Sequence, residues 1–232
     1  MIKRLLWLTC LLAPSLAMGQ TNGWIKVEAG TALYLDPYQA TWGPVSDGQQ
    51  VLLHSYLLTQ AEARAFLFKE TKAIELPPSA YFYLEDVIPK TRVEVVAALT
   101  RIEVSQLPVN TNEPGEGVPR AIGLTYGHPV KETQTMEAVP YEKQRYQAIQ
   151  WFYERGRLDA ALLALKRTMT KFPQLYAEEA YVEQLFHLYS QLALYGFLMD
   201  ESKRLLKAGV SEQFDVMVHH WHGVAKDRLI QQ

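Results

Sequence analysis

Residues 105–140 separate two stretches of chain that obey different hydrophobic periods. The interval holds five of the twelve prolines (Pro108, Pro114, Pro119, Pro129 and Pro140) and four of the thirteen glycines. So few apolar residues cannot build a core that offsets the entropy of ordering, so 106–140 reads as a Pro/Gly-rich linker or strap. Its one apolar patch, Ala121-Ile122-Gly123-Leu124-Thr125-Tyr126, is suited to docking on a neighbour. Pro114-Gly115-Glu116-Gly117-Val118-Pro119 lacks a third glycine, and its prolines remove backbone donors that a phosphate loop needs.

Upstream, over 20–105, short apolar or alternating runs are punctuated by turn residues. The runs are Trp24–Glu28, Ala32–Asp36, Val51–Leu58, Arg64–Phe68, Ala73–Leu76, Ala80–Leu84 and Val93–Val104. Ala29-Gly30, Asp36-Pro37, Gly43-Pro44, Asp47-Gly48 and Pro77-Pro78 close them off, which predicts a β-rich unit. In the last run Val93, Val95, Ile102 and Val104 alternate with charged neighbours, predicting a long strand or two strands bent near Ala97-Ala98.

Downstream, over 141–232, the period becomes helical. Tyr181, Leu185, Leu188, Leu192 and Tyr195 recur at steps of four and three, beside a second stripe of Val182, Phe186, Tyr189 and Ala193. Breaks at Gly156, Pro173, Gly196 and Gly209 predict about five helices in an antiparallel array. The expected class is therefore α+β, a small β-barrel-like unit followed by helices.

The first residues follow another logic. Met1-Ile2-Lys3-Arg4, the apolar run Leu5–Ala17 and the small residues of Ala17-Met18-Gly19 make the three parts of a cleavable signal peptide over 1–19. The run is shorter than the ~20 residues that span a bilayer. Cys10 is the single cysteine, so cleavage after Gly19 leaves a chain with neither disulfide nor thiolate chemistry. Cys10 follows Trp7-Leu8-Thr9, which disfavours a lipid anchor. Absence of an Asn-x-Ser/Thr sequon agrees with a bacterial periplasm. With 23 Lys+Arg against 25 Asp+Glu, the net charge of −2 offers no field for a nucleic-acid backbone.

Two resemblances add to this reading. Ile149, Trp151-Phe152-Tyr153, Gly156, Leu158, Ala161-Leu162, Leu165 and Phe172-Pro173 resemble a tetratricopeptide repeat over about 30 residues, which implies a helical hairpin and a protein-binding groove. Gly permits the tight turn there, and Ala lets two helices approach. Thr31–Pro89, through Ala32-Leu33-Tyr34, Ser46–Leu53 and Ala80–Ile88, resembles a bacterial Src-homology-three-like domain, with Ala80-Tyr81-Phe82 standing where that family has Gly-Trp-Val. Some such domains bind cell wall.

No phosphate loop, nucleophile elbow or His-Glu-x-x-His motif occurs, and no cofactor is expected. Asp215, His219 and His222 stand at i, i+4 and i+7, a spacing that suits a metal ion, but Lys226 continues their stripe and favours a solvated polar face. Glu183 and His187 read as a surface pair, and His54 as a core or edge residue of a strand. Tyr38, Trp42, Tyr81 and Tyr83 either line a groove or fill a small core. Trp151, Tyr153, Tyr181 and Tyr189 exceed what one helix face hides, which points to a partner groove. The expected protein is a periplasmic, non-enzymatic adaptor that binds envelope proteins. Cell-wall glycan binding is the second reading and a hydrolase or metal enzyme the third.

Overall fold

Six of the seven runs fold as antiparallel strands, Val51–Leu58 as two, and an eighth strand forms at Thr41–Pro44, where Gly43-Pro44 was expected to be a break. A computed structural model describes residues 22–105, 140–209 and 212–231. The expected signal peptide, and the strap apart from Pro140, lie outside the described residues. The strands are β1 (Asn22–Ala29), β2 (Ala32–Asp36), β3 (Thr41–Pro44), β4 (Gln49–Leu52), β5 (Tyr56–Thr59), β6 (Arg64–Lys69), β7 (Lys72–Glu75) and β8 (Tyr81–Tyr83). They form two open four-stranded sheets, ordered β4-β1-β6-β7 and β3-β2-β5-β8. Neither sheet closes on itself. Inward residues alternate as the period demands, with Ile25, Val51, Ala65 and Leu67 from one sheet and Ala32, Tyr34 and Leu57 from the other all buried. Gly30 turns β1 into β2 at φ +70°, where a Cβ would also strike the backbone of Ala63 at 2.8 Å.

Helices follow: α1 (Leu84–Val87), α2 (Arg92–Val104), α3 (Glu142–Glu154), α4 (Leu158–Lys171), α5 (Glu179–Gln191), α6 (Tyr195–Ala208) and α7 (Glu212–Ile230), with a 3-10 turn at Pro173–Ala177. The class is therefore α+β. The strand expected over Val93–Val104 is instead the helix α2. Its buried residues are Val95, Ala98, Leu99 and Ile102, at helical spacing, while Val93 and Val104 point to solvent. Thr91 and Glu94 close a reciprocal capping box at its start. The alternating valines at the two ends mimicked a strand; the interior and the cap carried the helix.

Gly156, at φ +68°, turns the chain from α3 into α4; the two helices pack together, and Ala161 on α4 is fully buried. Gly196 lies inside α6, because the chain turns earlier, at Ala193, which takes a φ of +53°. Helix α4 is the hub. It packs on α1, α2, α3 and α5, and one hydrophobic cluster runs from Ile25 through Leu99 and Phe152 to Ala225.

Candidate functional site

Sheet β3-β2-β5-β8 meets the α3–α4 pair along a seam of rings and cations. Strand β8 supplies Tyr81 and Tyr83, β5 supplies Tyr56 in register with Tyr83, and β3 supplies Trp42. Tyr56 stacks on Tyr81 with ring centres 5.1 Å apart, and Tyr141 stacks on Tyr81 at 5.2 Å, only 9° from parallel. Trp42 tilts against Tyr81 at 5.8 Å. Tyr141 caps α3 in the left-handed region at φ +57°, which sets its ring against the sheet.

Cations hold the stack from behind. The guanidinium carbon of Arg145 lies 4.0 Å from the Tyr81 ring centre and 5.0 Å from that of Phe172. Arg145 is buried, and its Nε donates to the Pro140 carbonyl at 3.0 Å. Burial pushes its guanidinium below the ordinary range, and the phenol groups of Tyr81 and Tyr56 oppose that shift. Arg167 covers Tyr83 at 3.9 Å and donates through Nε and Nη2 to both carboxylate oxygens of Asp86, each at 2.9 Å. A forked pair of this kind fixes both partners, and Asp86 is buried behind it. Burial raises the phenols of Tyr56, Tyr81 and Tyr83, that of Tyr81 to about 12, so all three are neutral hydrogen-bond donors at neutral pH.

The seam has two ends. At the outer end Trp42 and Tyr141 keep 37% and 44% of their surfaces in solvent. At the inner end a cavity of about 170 Å³ opens between α1, α2 and α4, lined by Tyr83, Glu85, Lys90, Arg101, Ser105 and Arg167 among others. The α1–α2 turn is tied to α4 beside it, with Arg157 Nη2 donating to the Val87 carbonyl at 2.8 Å and the Lys90 amide to Asp159 at 2.9 Å.

Of the eight aromatic residues singled out in the sequence, three meet here: Trp42, Tyr81 and Tyr83. Tyr38 stands exposed on the β2–β3 turn, which Asp36 Oδ1 braces by accepting from its amide at 2.8 Å. Trp151 lies half-buried on α3 under Arg155, 3.9 Å from its ring centre. Tyr153 accepts from Gln191 Nε2 at 3.3 Å. Tyr181 is buried and donates to Glu142 at 3.3 Å, and Tyr189 is fully buried against Phe197. Burial pushes the Tyr189 phenol up.

The helical histidines do not converge. His219 Nδ1 lies 3.1 Å from Asp215 Oδ2, but His222 turns to α6, its Nδ1 3.0 Å from Ser202 Oγ. Among the described residues no cluster of three His, Cys, Asp or Glu side chains is placed to hold a metal ion. His187 sits 3.9 Å from Glu183 and edge-on to Trp221 at 4.7 Å. His54 is exposed in the bend between β4 and β5 rather than held in a strand.

Sequence reasoning missed Tyr56, Tyr141, Arg145 and Arg167. The signal for Arg145 was present: it shares a stripe with Ala148, Ile149 and Phe152, where a cation is out of place unless a ring or carboxylate faces it. No family model, curated protein or solved structure matches the chain.

Proposed function

We propose that the chain is an exported, non-enzymatic adaptor that binds a protein partner of a bacterial envelope assembly through the outer end of the aromatic seam. The observation that carries this reading is the half-exposed pair Trp42 and Tyr141, the first tilted against and the second stacked on the buried Tyr81. Rings already fixed by neighbours lose little entropy when a partner covers them, and large aromatic anchors dominate interface energies. The resemblances of 149–173 to a tetratricopeptide repeat and of 31–89 to a Src-homology-three-like domain support recognition rather than turnover, and the signal-peptide pattern over 1–19 supports export.

Cell-wall glycan binding has its own support. Trp24, 57% exposed, stands beside Phe68 on the outer face of the first sheet, over an open recess of about 420 Å³ that Lys26 and Asp47 border. An aromatic shelf with polar edges suits a sugar ring.

Sedimentation with isolated peptidoglycan and with membrane extract separates the two. The adaptor reading predicts a discrete protein partner from the extract, lost with Trp42→Ala and kept with Trp24→Ala. Retention on peptidoglycan that depends on Trp24 instead would replace it with the glycan reading.

A further inference from the structure

The cavity at the inner end of the seam has a charge balance unlike a packing defect. Three cations line it, Lys90, Arg101 and Arg167, against two carboxylates, Glu85 and Asp86. Asp86 is saturated, because Arg167 engages both of its oxygens. That fork uses Nε and Nη2, which leaves the Nη1 donors of Arg167 outside it. Lys90 is half-buried, and its ammonium donates to the backbone carbonyls of Glu85 and Ile88. Among the described residues no carboxylate lies within ion-pair distance of it; burial lowers its pKa, and the more distant Asp86, Glu85 and Asp159 only partly oppose that shift. Arg101 already lines the cavity, and its pairing with Glu85 is long, at 3.5 Å, with two-thirds of its side chain in water. Tyr83 adds a neutral phenol.

We infer that this cavity binds a small oxyanion of the phosphate or sulfate class, held by Lys90, Arg101 and Arg167. A volume of about 170 Å³ equals nearly six waters at ~30 Å³ each, ample for one tetrahedral anion. It falls below the ~300 Å³ at which sites for drug-sized ligands begin. One uncompensated positive charge attracts an anion, and the Asp86 fork holds Arg167 in place before the ligand arrives. The anion joins α1, α2 and α4, so its binding stabilises the folded chain. This site is independent of the aromatic outer end, and Trp42→Ala leaves it intact.

The test uses the full chain and inorganic phosphate, sulfate and acetate as probes, each against sodium chloride at matched ionic strength. Thermal unfolding and titration calorimetry are read together. Phosphate and sulfate bind saturably by calorimetry and raise the melting temperature by an increment that Arg101→Gln removes, acetate does so less, and Arg101→Gln weakens phosphate binding about tenfold or more, whereas general salt exclusion would act on both proteins alike. Lys26→Gln, a charge change on the first sheet, leaves binding unchanged. Because Lys90 also secures α1, Lys90→Gln is read only by calorimetry on folded protein, where it too weakens phosphate. A melting temperature indifferent to phosphate overturns the inference. So does binding that Arg101→Gln leaves intact or that Lys26→Gln weakens equally, since either places the anion elsewhere.

Discussion

Arg167 does two jobs at one joint, covering the Tyr83 ring and neutralising the buried Asp86. Arg167→Gln strands that carboxylate, and breaking a buried pair from one side costs about 3–5 kcal/mol. Urea unfolding checks the value, and adding Asp86→Asn is expected to recover part of the loss. Tyr81 supplies a pH dependence. Its folded pKa of about 12 lies above the ordinary 10.0, so the folded state keeps a proton that the unfolded chain gives up. The stabilisation is whole below pH 10 and disappears as pH rises toward 12, a change of about 2–3 kcal/mol. Unfolding free energies at pH 8 and 11, with Tyr81→Phe removing part of the slope, measure it.

At the scale of the element, α2 is held by its cap and by one apolar face on α4. Thr91→Ala removes the capping box and costs about 1 kcal/mol, whereas Val93→Thr, at an exposed position, changes stability by less than about 0.5 kcal/mol. Chemical denaturation of the two variants tests this pair of outcomes, and amide exchange localises the first to α2. A strand over 92–104 would reverse them, because Val93 would then belong to a pleated face. Alternation and turn residues made most other strands legible, Ala32–Asp36 to the residue, because period 2 leaves few choices when one face is buried. Val51–Leu58 divides into β4 and β5 at Leu53-His54-Ser55, where no glycine or proline marks the bend. Trp42, Tyr81 and Tyr83 were legible as rings with polar edges. Arg145 betrayed itself only as a cation on an apolar stripe, while Arg167 and Lys90 acquire their meaning from the residues that folding sets opposite them.

Across the whole molecule, the two periods either side of 105–140 end in one connected hydrophobic cluster, with α4 at its hub. A second joint lies within the helices: Lys166 is buried and pairs with Glu201 and, at 3.3 Å, with Glu103 of α2, while donating to Tyr176 at 3.2 Å. Burial alone would lower the Lys166 ammonium, yet the facing Tyr189, Glu201 and Tyr176 oxygens hold it charged above its usual range. With joints of this kind linking α2, α4 and α6, strands and helices are expected to unfold together. Near-ultraviolet and far-ultraviolet dichroism should trace one coincident denaturation curve, and two separated transitions would show that the halves are energetically independent.

The central claim, that Trp42 faces a partner protein, is tested most directly by replacing Trp42 with photo-reactive benzoylphenylalanine in the native cell and irradiating. The account predicts one discrete protein adduct from position 42 and none when the same group replaces Val216, a residue on α7 more open to solvent than Trp42. Irradiation that yields no adduct at position 42, or the same adducts from both positions, would contradict it.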